Sequence, residues 1–284
     1  MITCFLQGGL GNQLFQIFAT IAYSFKTQQP FVFTKTDILV SGTSTPRKTY
    51  WNDFLSNLSV FTKPWIDNSQ FSVIREKGFT YHDIKPGDKN QNHLLYGYFH
   101  SYKYFSQEKE KIYRLLHLDA KKQEIKNKYV GDLGDFNYIS MHFRIGDYKK
   151  LQQCYHLLPL EYYKKSLEYI IANTSVESLP KRVLVFCESG DLEDVLKIVN
   201  ILMDLFPRLH FELINFMIPD WEQLLLLSFS KHNIIANSTF SWWGAYLNEN
   251  HDNIVCYPGI WFGPLLIHQD TKDLFPPQWK KIDV

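Results

Sequence analysis

The chain has 284 residues, room for one large domain or two of ordinary size. Hydrophobic residues make up 45% and the formal net charge is +1, so a real core is expected and no broad basic field exists to attract nucleic acid. Four widely spaced cysteines (Cys4, Cys154, Cys187, Cys256) form no metal or redox motif and read as mostly buried free thiols of a reducing compartment.

The chain opens on Ile2-Thr3-Cys4-Phe5-Leu6, an apolar run expected as a buried first strand. There is no basic n-region with a following apolar stretch and cleavage site, and no window of the ~18 apolar residues a membrane span needs. The expected location is cytoplasmic, with a peripheral place at a membrane left open. Next come Gln7-Gly8-Gly9-Leu10-Gly11-Asn12-Gln13 and an amphipathic helix carrying Leu14, Phe15, Phe18, Ala19 and Ala22. A strand, a glycine turn and a helix start put backbone N–H groups where a phosphate or sugar can meet them. The spacing is not the dinucleotide fingerprint, and the Walker lysine is missing. A tight structural turn is the plain alternative.

Phe31-Val32-Phe33 reads as a second strand and Ser41 to Arg47 as a loop. Tyr50 to Leu58 is expected to be helical, and the irregular stretch 41–93 is where acceptor contacts are placed. Leu94 to Phe99 is strand-like and Glu108 to Leu116 helical. Residues 119–134 are lysine-rich and then carry Gly131-Asp132-Leu133-Gly134, a composition shift that suggests a domain boundary.

Phe136 to Met141 reads as a strand that runs into His142-Phe143-Arg144-Ile145-Gly146-Asp147-Tyr148. In α/β folds ligands bind outside the carboxyl ends of strands. His142 and Arg144, two apart, share a side on an extended backbone. A guanidinium fork suits phosphate oxygens. A structural Arg–Asp pair is the alternative. Leu160 to Ala172 is an amphipathic helix, and Val183 to Cys187 a parallel-type strand with Glu188-Ser189-Gly190-Asp191 at its end. Asp191 to Leu205 is a helix, Phe211 to Ile214 a strand, and Asp220 an expected cap for a helix from Trp221 to Phe229. Asn233 to Ala236 is a strand leading into Asn237-Ser238-Thr239-Phe240-Ser241-Trp242-Trp243-Gly244-Ala245. There Ser and Thr can cap a helix or help hold an anion, and at most one of the two tryptophans is expected to face a cleft. The alternation from 136 to 250 is that of a doubly wound parallel sheet.

The three ordered stretches, Gly8 to Gln16, His142 to Tyr148 and Asn237 to Ala245, resemble glycosyltransferase family 11, the α-1,2-fucosyltransferases. Lesser matches are Gly97-Tyr98-Phe99, Tyr162 to Lys165, His232 to Ile235 and Phe275 to Trp279. The resemblance implies an α/β, GT-B-type fold of two Rossmann-like domains facing a cleft. The expected division is 1–134, an acceptor-side domain with the glycine loop, and 135–284, a nucleotide-sugar domain whose last helix packs back on the first. It implies GDP-β-L-fucose as donor, a glycan acceptor, inversion at the anomeric carbon, and no cofactor or metal ion. Carried over residue by residue, Arg144 is the essential arginine beside the β-phosphate, with His142 and Asp147 in the same catalytic motif. Gly9, Gly11, Asn12, Gln13, Glu188, Asn237, Ser238, Thr239 and Ser241 fall to donor binding.

One departure is Ile145, where the family has a second arginine. It leaves open another nucleotide-deoxysugar donor, or a non-catalytic protein that binds nucleotide sugars. An NAD oxidoreductase is disfavoured because no acidic residue stands ~20 residues past the glycines to hold a ribose. With no Asp-x-Asp motif in the chain, charge growing on a leaving diphosphate must be met by a fixed cation and backbone N–H groups.

Overall fold

A computed structural model of the chain describes residues 1–40 and 46–284. The first five residues of the expected 41–47 loop lie outside the described residues. Contacts divide the chain into two compact units, one of 1–124 with 269–276, the other of 125–268 with 277–284.

In the first unit, β1 (Ile2–Cys4) is wholly buried and leads through the glycine turn into α1 (Leu10–Thr27). Short strands β2 (Phe33–Thr34), β3 (Ile38–Leu39), β4 (Arg47–Lys48) and β5 (Thr62–Lys63) precede β6 (Ser72–Arg75) and β7 (His93–Tyr96). The main sheet is parallel, in the order β1-β7-β6, with Thr3 and Val73 both opposite Leu94. α1 buries more than a stripe: Leu14, Phe15, Ile17, Phe18 and Ile21 are all within 1% of full burial. Phe15 and Phe18 meet Phe105 at 5.9 and 5.4 Å, which pins the helix through aromatic edges.

One expectation fails here. Tyr50 to Leu58 is not an α-helix but turns followed by a 3₁₀ helix, Ser56–Phe61. Local polar side chains compete for its backbone: Asp53 accepts the N–H of Phe54 at 2.6 Å, and Ser59 donates to the Ser56 carbonyl at 2.6 Å. Past α2 (Lys109–Leu116), the lysine-rich stretch is itself a helix, α3 (Leu118–Leu133). Its Lys, Glu and Gln are good helix formers, and Leu118, Ile125, Tyr129 and Leu133 supply a thin buried stripe. The division between units falls within this helix, after Glu124.

The second unit carries β8 (Tyr138–His142), α4 (Leu160–Ala172), β9 (Arg182–Phe186), α5 (Leu192–Leu205) and β10 (His210–Leu213). It continues with α6 (Asp220–Leu227), β11 (His232–Ile234), α7 (Thr239–Tyr246), β12 (Val255–Pro258) and β13 (Lys280–Ile282). The sheet is entirely parallel, in the order β10-β9-β8-β11-β12-β13. Counted within the unit this is 3-2-1-4-5-6, the doubly wound Rossmann order, whose switch point lies between β8 and β11. A closed polar network holds that junction: Asn233 donates to Ser140 at 2.7 Å and to the Leu227 carbonyl at 2.8 Å. The core joins Ile139, Met141, Val183 and Val185 of the sheet to Leu167, Ile170, Val195 and Val199 of the helices.

Asp220 begins α6 rather than capping it; Pro219 holds the cap position, and the Asp220 carboxylate takes the N–H of Trp221 at 2.9 Å. Trp242 and Trp243 are both fully buried, so neither faces a cleft. Trp242 stacks on Tyr246 at 4.7 Å and meets Trp279 at 5.6 Å, which fastens α7 to the closing segment of the unit. Strands β12 and β13 have no counterpart in the sequence reading. Lys280 and Lys281 give β13 an edge-strand composition that hides its register.

Candidate functional site

β8 ends at His142, and the chain leaves the sheet at Phe143-Arg144-Ile145 before turning at Gly146. Arg144 therefore stands past the strand end, at the carboxyl edge, beside the switch point. Its guanidinium is 18% exposed and is ion-paired with Asp147 (2.5 Å) and with Glu188. Burial works against the charge, but Glu188 and then Asp147 outweigh it and keep Arg144 firmly protonated. The guanidinium also lies 5.3 Å from the centre of the Tyr148 ring.

Gly146 has φ +20°, and its N–H donates to the buried Asp191 carboxylate at 2.6 Å. A Cβ there would lie 3.1 Å from Glu188. Glu188 thus holds the Arg144 side chain while Asp191 holds the backbone that follows it. Both come from the end of β9, so neighbouring strand ends fix one another. Ile145 packs against the apolar core of this unit, where a charged side chain would be desolvated.

His142 lies on the inner side of this edge. It is 7% exposed, its ring is 5.6 Å from Phe240, and its Nδ1 has no hydrogen-bond partner among the described residues. Burial first, then Arg144, lowers its pKa to about 3, so the ring is neutral at pH 7.

The third stretch opens from β11. The Asn237 amide donates to the carbonyls of His156 (2.8 Å) and Trp261 (3.0 Å), so it ties loops together and is 1% exposed. Tyr148 donates its hydroxyl to the Asn237 carbonyl at 3.1 Å, joining the loop after β8 to that after β11. Ser238 caps α7, accepting the N–H of Phe240 at 3.3 Å. Thr239 begins the helix. The Ser241 hydroxyl is fully buried and turns back to the Ser238 and Ala236 carbonyls at 3.4 and 3.5 Å. The second unit therefore gathers Arg144, Asp147, Glu188 and Thr239 on one edge, with Ser238 buried beside them as the cap of α7. It keeps His142, Asn237 and Ser241 inside.

In the first unit, Gly8 takes φ +80° and Gly9 is the N-cap of α1. Gly11 and Gln13 are buried in the first turn. Gln13 donates to the carbonyls of Gly8 (3.0 Å) and Lys48 (2.8 Å), a structural use of its amide. Asn12 lies beside it with Oδ1 3.1 Å from His100 Nε2. Two residues with no role in the sequence reading stand out, Tyr148 and His100. Tyr148 sat inside a quoted motif, and His100 follows the Gly97-Tyr98-Phe99 match, so position was the available signal. Among the described residues no group of three His, Cys, Asp or Glu could hold a metal ion, and no helix is long and apolar enough to cross a membrane.

A sequence model described as Glycosyl transferase family 11 matches residues 1–282. The chain is 25% identical to the O-antigen biosynthesis glycosyltransferase WbnK of Escherichia coli, over 92% of this chain and 95% of that protein. It is 28% identical to an alpha-1,2-colitosyltransferase of Escherichia coli, over 66% of this chain and 61% of that protein. Among solved structures, it is similar to the fucosyltransferase NodZ from Bradyrhizobium (TM-score 0.44, 11% identity, 87% of this chain and 93% of that one). It is also similar to the NodZ alpha-1,6-fucosyltransferase co-crystallised with GDP (TM-score 0.47, 12% identity, 87% and 92%).

Proposed function

As a member of glycosyl transferase family 11, this chain is a glycosyltransferase, and we propose that it moves L-fucose from GDP-β-L-fucose to the 2-OH of a galactose-like residue in a glycan acceptor. The observation that carries this reading is the place of Arg144. It is a largely buried, firmly charged guanidinium at the carboxyl edge of a parallel sheet, beside the switch point. The amino end of α7 opens from the next strand, and its partial positive charge also favours an anion.

The acceptor oxygen bonds to the anomeric carbon as the bond to the diphosphate breaks, and the configuration inverts. The departing electron pair goes to the β-phosphate, where Arg144 meets the growing charge without a metal ion. The hydroxyl proton leaves to a base or to solvent. Asp147 is the counter-ion of Arg144 and His142 is a neutral buried ring, so both act here by shaping the strand end. Ser238 and Thr239 present the start of α7 to phosphate, and Glu188 is assigned to the nucleoside side. Asn12, which the family motif assigns to the donor, is proposed as an amide contact to the sugar or its phosphates.

The test is a thermal-shift screen with GDP, UDP, ADP and dTDP and their sugar conjugates, with and without EDTA, followed by product analysis. Ligands that bind only the folded state raise the melting temperature. A shift with GDP, a larger one with GDP-fucose, and neither changed by EDTA is the expected result. A shift with UDP or dTDP alone overturns the donor.

A second reading keeps the chemistry and changes the sugar to another nucleotide-linked deoxysugar. Two observations favour it: Ile145, an apolar side chain packed on the core, and the colitosyltransferase relative. Competition between GDP-fucose and other GDP-deoxysugars in the same screen separates the two.

A further inference from the structure

Glu76 directly follows β6, and its carboxylate accepts the N–H of Tyr98 at 2.7 Å and of His100 at 3.3 Å, with that of Phe99 between them. The backbone wrapped round it is uncommon. Gly97 has φ +157° and Phe99, a bulky residue, has φ +56°. A Cβ on Gly97 would fall 2.4 Å from the Cβ of Glu76, so the turn closes tightly on that side chain.

The turn points His100 inward. Its ring is 7% exposed, stacks on Tyr98 at 4.9 Å and 18°, and meets the edge of Phe15 at 5.1 Å. Three aromatic contacts, Phe79 at 5.2 Å included, leave it little freedom, and its Nε2 faces Asn12 Oδ1 at 3.1 Å. On the other side of the amide, Gly8 makes room: a Cβ there would lie 2.4 Å from Asn12 Nδ2.

An asparagine amide can offer an acceptor or a donor, and only the donor is useful against phosphate or sugar oxygens. We propose that Glu76 and His100 are positioning residues for Asn12: Glu76 shapes the 97–100 turn, and His100 donates its Nε2–H to Oδ1 so that the amide presents its N–H. This rests on the glycosyl-transfer reading in one respect, that Asn12 contacts the donor.

The test is a double-mutant cycle on the full chain with His100→Ala, Asn12→Ala and both together, scored by kcat and KM with GDP-fucose and by melting temperature. His100→Ala is expected to lower kcat about ten- to a hundred-fold with a smaller change in KM, as misplacement of a positioned group does. The double variant is expected to be no slower than Asn12→Ala alone. His100→Gln, which keeps an N–H donor at similar reach, is expected to recover most of the rate. Glu76→Gln is expected to join the same non-additive set. Losses that multiply, or a His100→Ala variant at wild-type rate, overturn the proposal. A readout without turnover is the ¹⁵N spectrum of the His100 ring. A neutral Nε2–H tautomer, and an Asn12 side-chain amide that shifts in His100→Ala, support the contact. The other tautomer, or an unmoved amide, overturns it. Absence of transfer by the wild type would instead sink the functional reading, with the spectrum still deciding the contact.

Discussion

After β8 the chain turns at Gly146 among charges; after β1 it turns at Gly8 among neutral amides. At the first turn Arg144 sits between Glu188 and Asp147, and Asp191 takes the backbone N–H of Gly146. At the second, Gln13, Asn12 and His100 exchange uncharged hydrogen bonds, with Gln13 bridging two carbonyls. Both are strand ends relaxed by a glycine with positive φ. The charged turn owes its order to ion pairs, so its side chains can be altered with the sheet intact, and the loss should appear in chemistry. The neutral turn owes its order to shape and buried amides. Damage to Gln13 or Gly8, which hold its shape, should appear in stability first.

The largest effect that sharpens this contrast is on Arg144. Arg144→Ala is expected to lower kcat by 10²–10³, about 3–4 kcal/mol, the scale for losing one preorganised charge-stabilising group. Arg144→Lys should recover little, because an ammonium lacks the fork. Turnover and circular dichroism together check it; a folded Arg144→Ala enzyme near wild-type rate breaks the comparison. On the neutral side, Gln13→Leu leaves the Gly8 and Lys48 carbonyls without their donor, and about 1–3 kcal/mol of stability should go. Gly8→Ala should cost about 1–2 kcal/mol through its left-handed backbone, besides pressing on Asn12. Urea titration measures both. A loss confined to activity would show that Gln13 and Gly8, like Asn12, serve the chemistry rather than the fold.

Much of the charged turn was legible in the sequence because it is local. Arg144, Gly146 and Asp147 stand together after an apolar run, and strand ends bind ligands whatever the rest of the chain does. The assignment of Asn237 and Ser241 to donor binding could not foresee that their side chains are used inside the fold. Their polar side chains serve carbonyls of His156, Trp261, Ala236 and Ser238, and which polar group is consumed internally depends on long-range packing. The helix α3 was obscured because its four lysines are as many as the residues of its apolar stripe, and the pair Trp242-Trp243 because adjacent residues on a helix diverge by about 100° yet α7 is buried on both sides. The six-stranded order could be anticipated only through β11, since β13 lies beyond the alternating pattern.

A smaller effect separates backbone from side-chain control of the charged turn. Asp191→Asn keeps the shape but gives the Gly146 N–H a neutral acceptor in place of a carboxylate. The difference between charged and neutral acceptors is about 1 kcal/mol. Urea titration should show that loss, with kcat falling less than in Arg144→Ala. A fall as large as that of Arg144→Ala would mean that the turn, not the guanidinium, sets the rate.

The smallest effect near neutrality concerns two histidines, one at each turn. His142 and His100 are both lowered to about 3, chiefly by burial, whereas an unfolded histidine titrates near ~6.5. Above ~6.5 neither state binds the proton, and the stability they contribute is complete. As the pH falls below ~6.5 the unfolded chain takes up protons that the folded chain refuses, so stability declines until the pH reaches the folded value of about 3. Each ring should cost on the order of 1 kcal/mol between pH 7 and pH 5.5. Chemical denaturation at the two pH values should therefore show a steeper fall for the wild type than for His142→Gln or His100→Gln. Equal slopes in all three proteins would mean that these rings already share protons with the solvent, and neither could then serve as a fixed neutral partner of its turn.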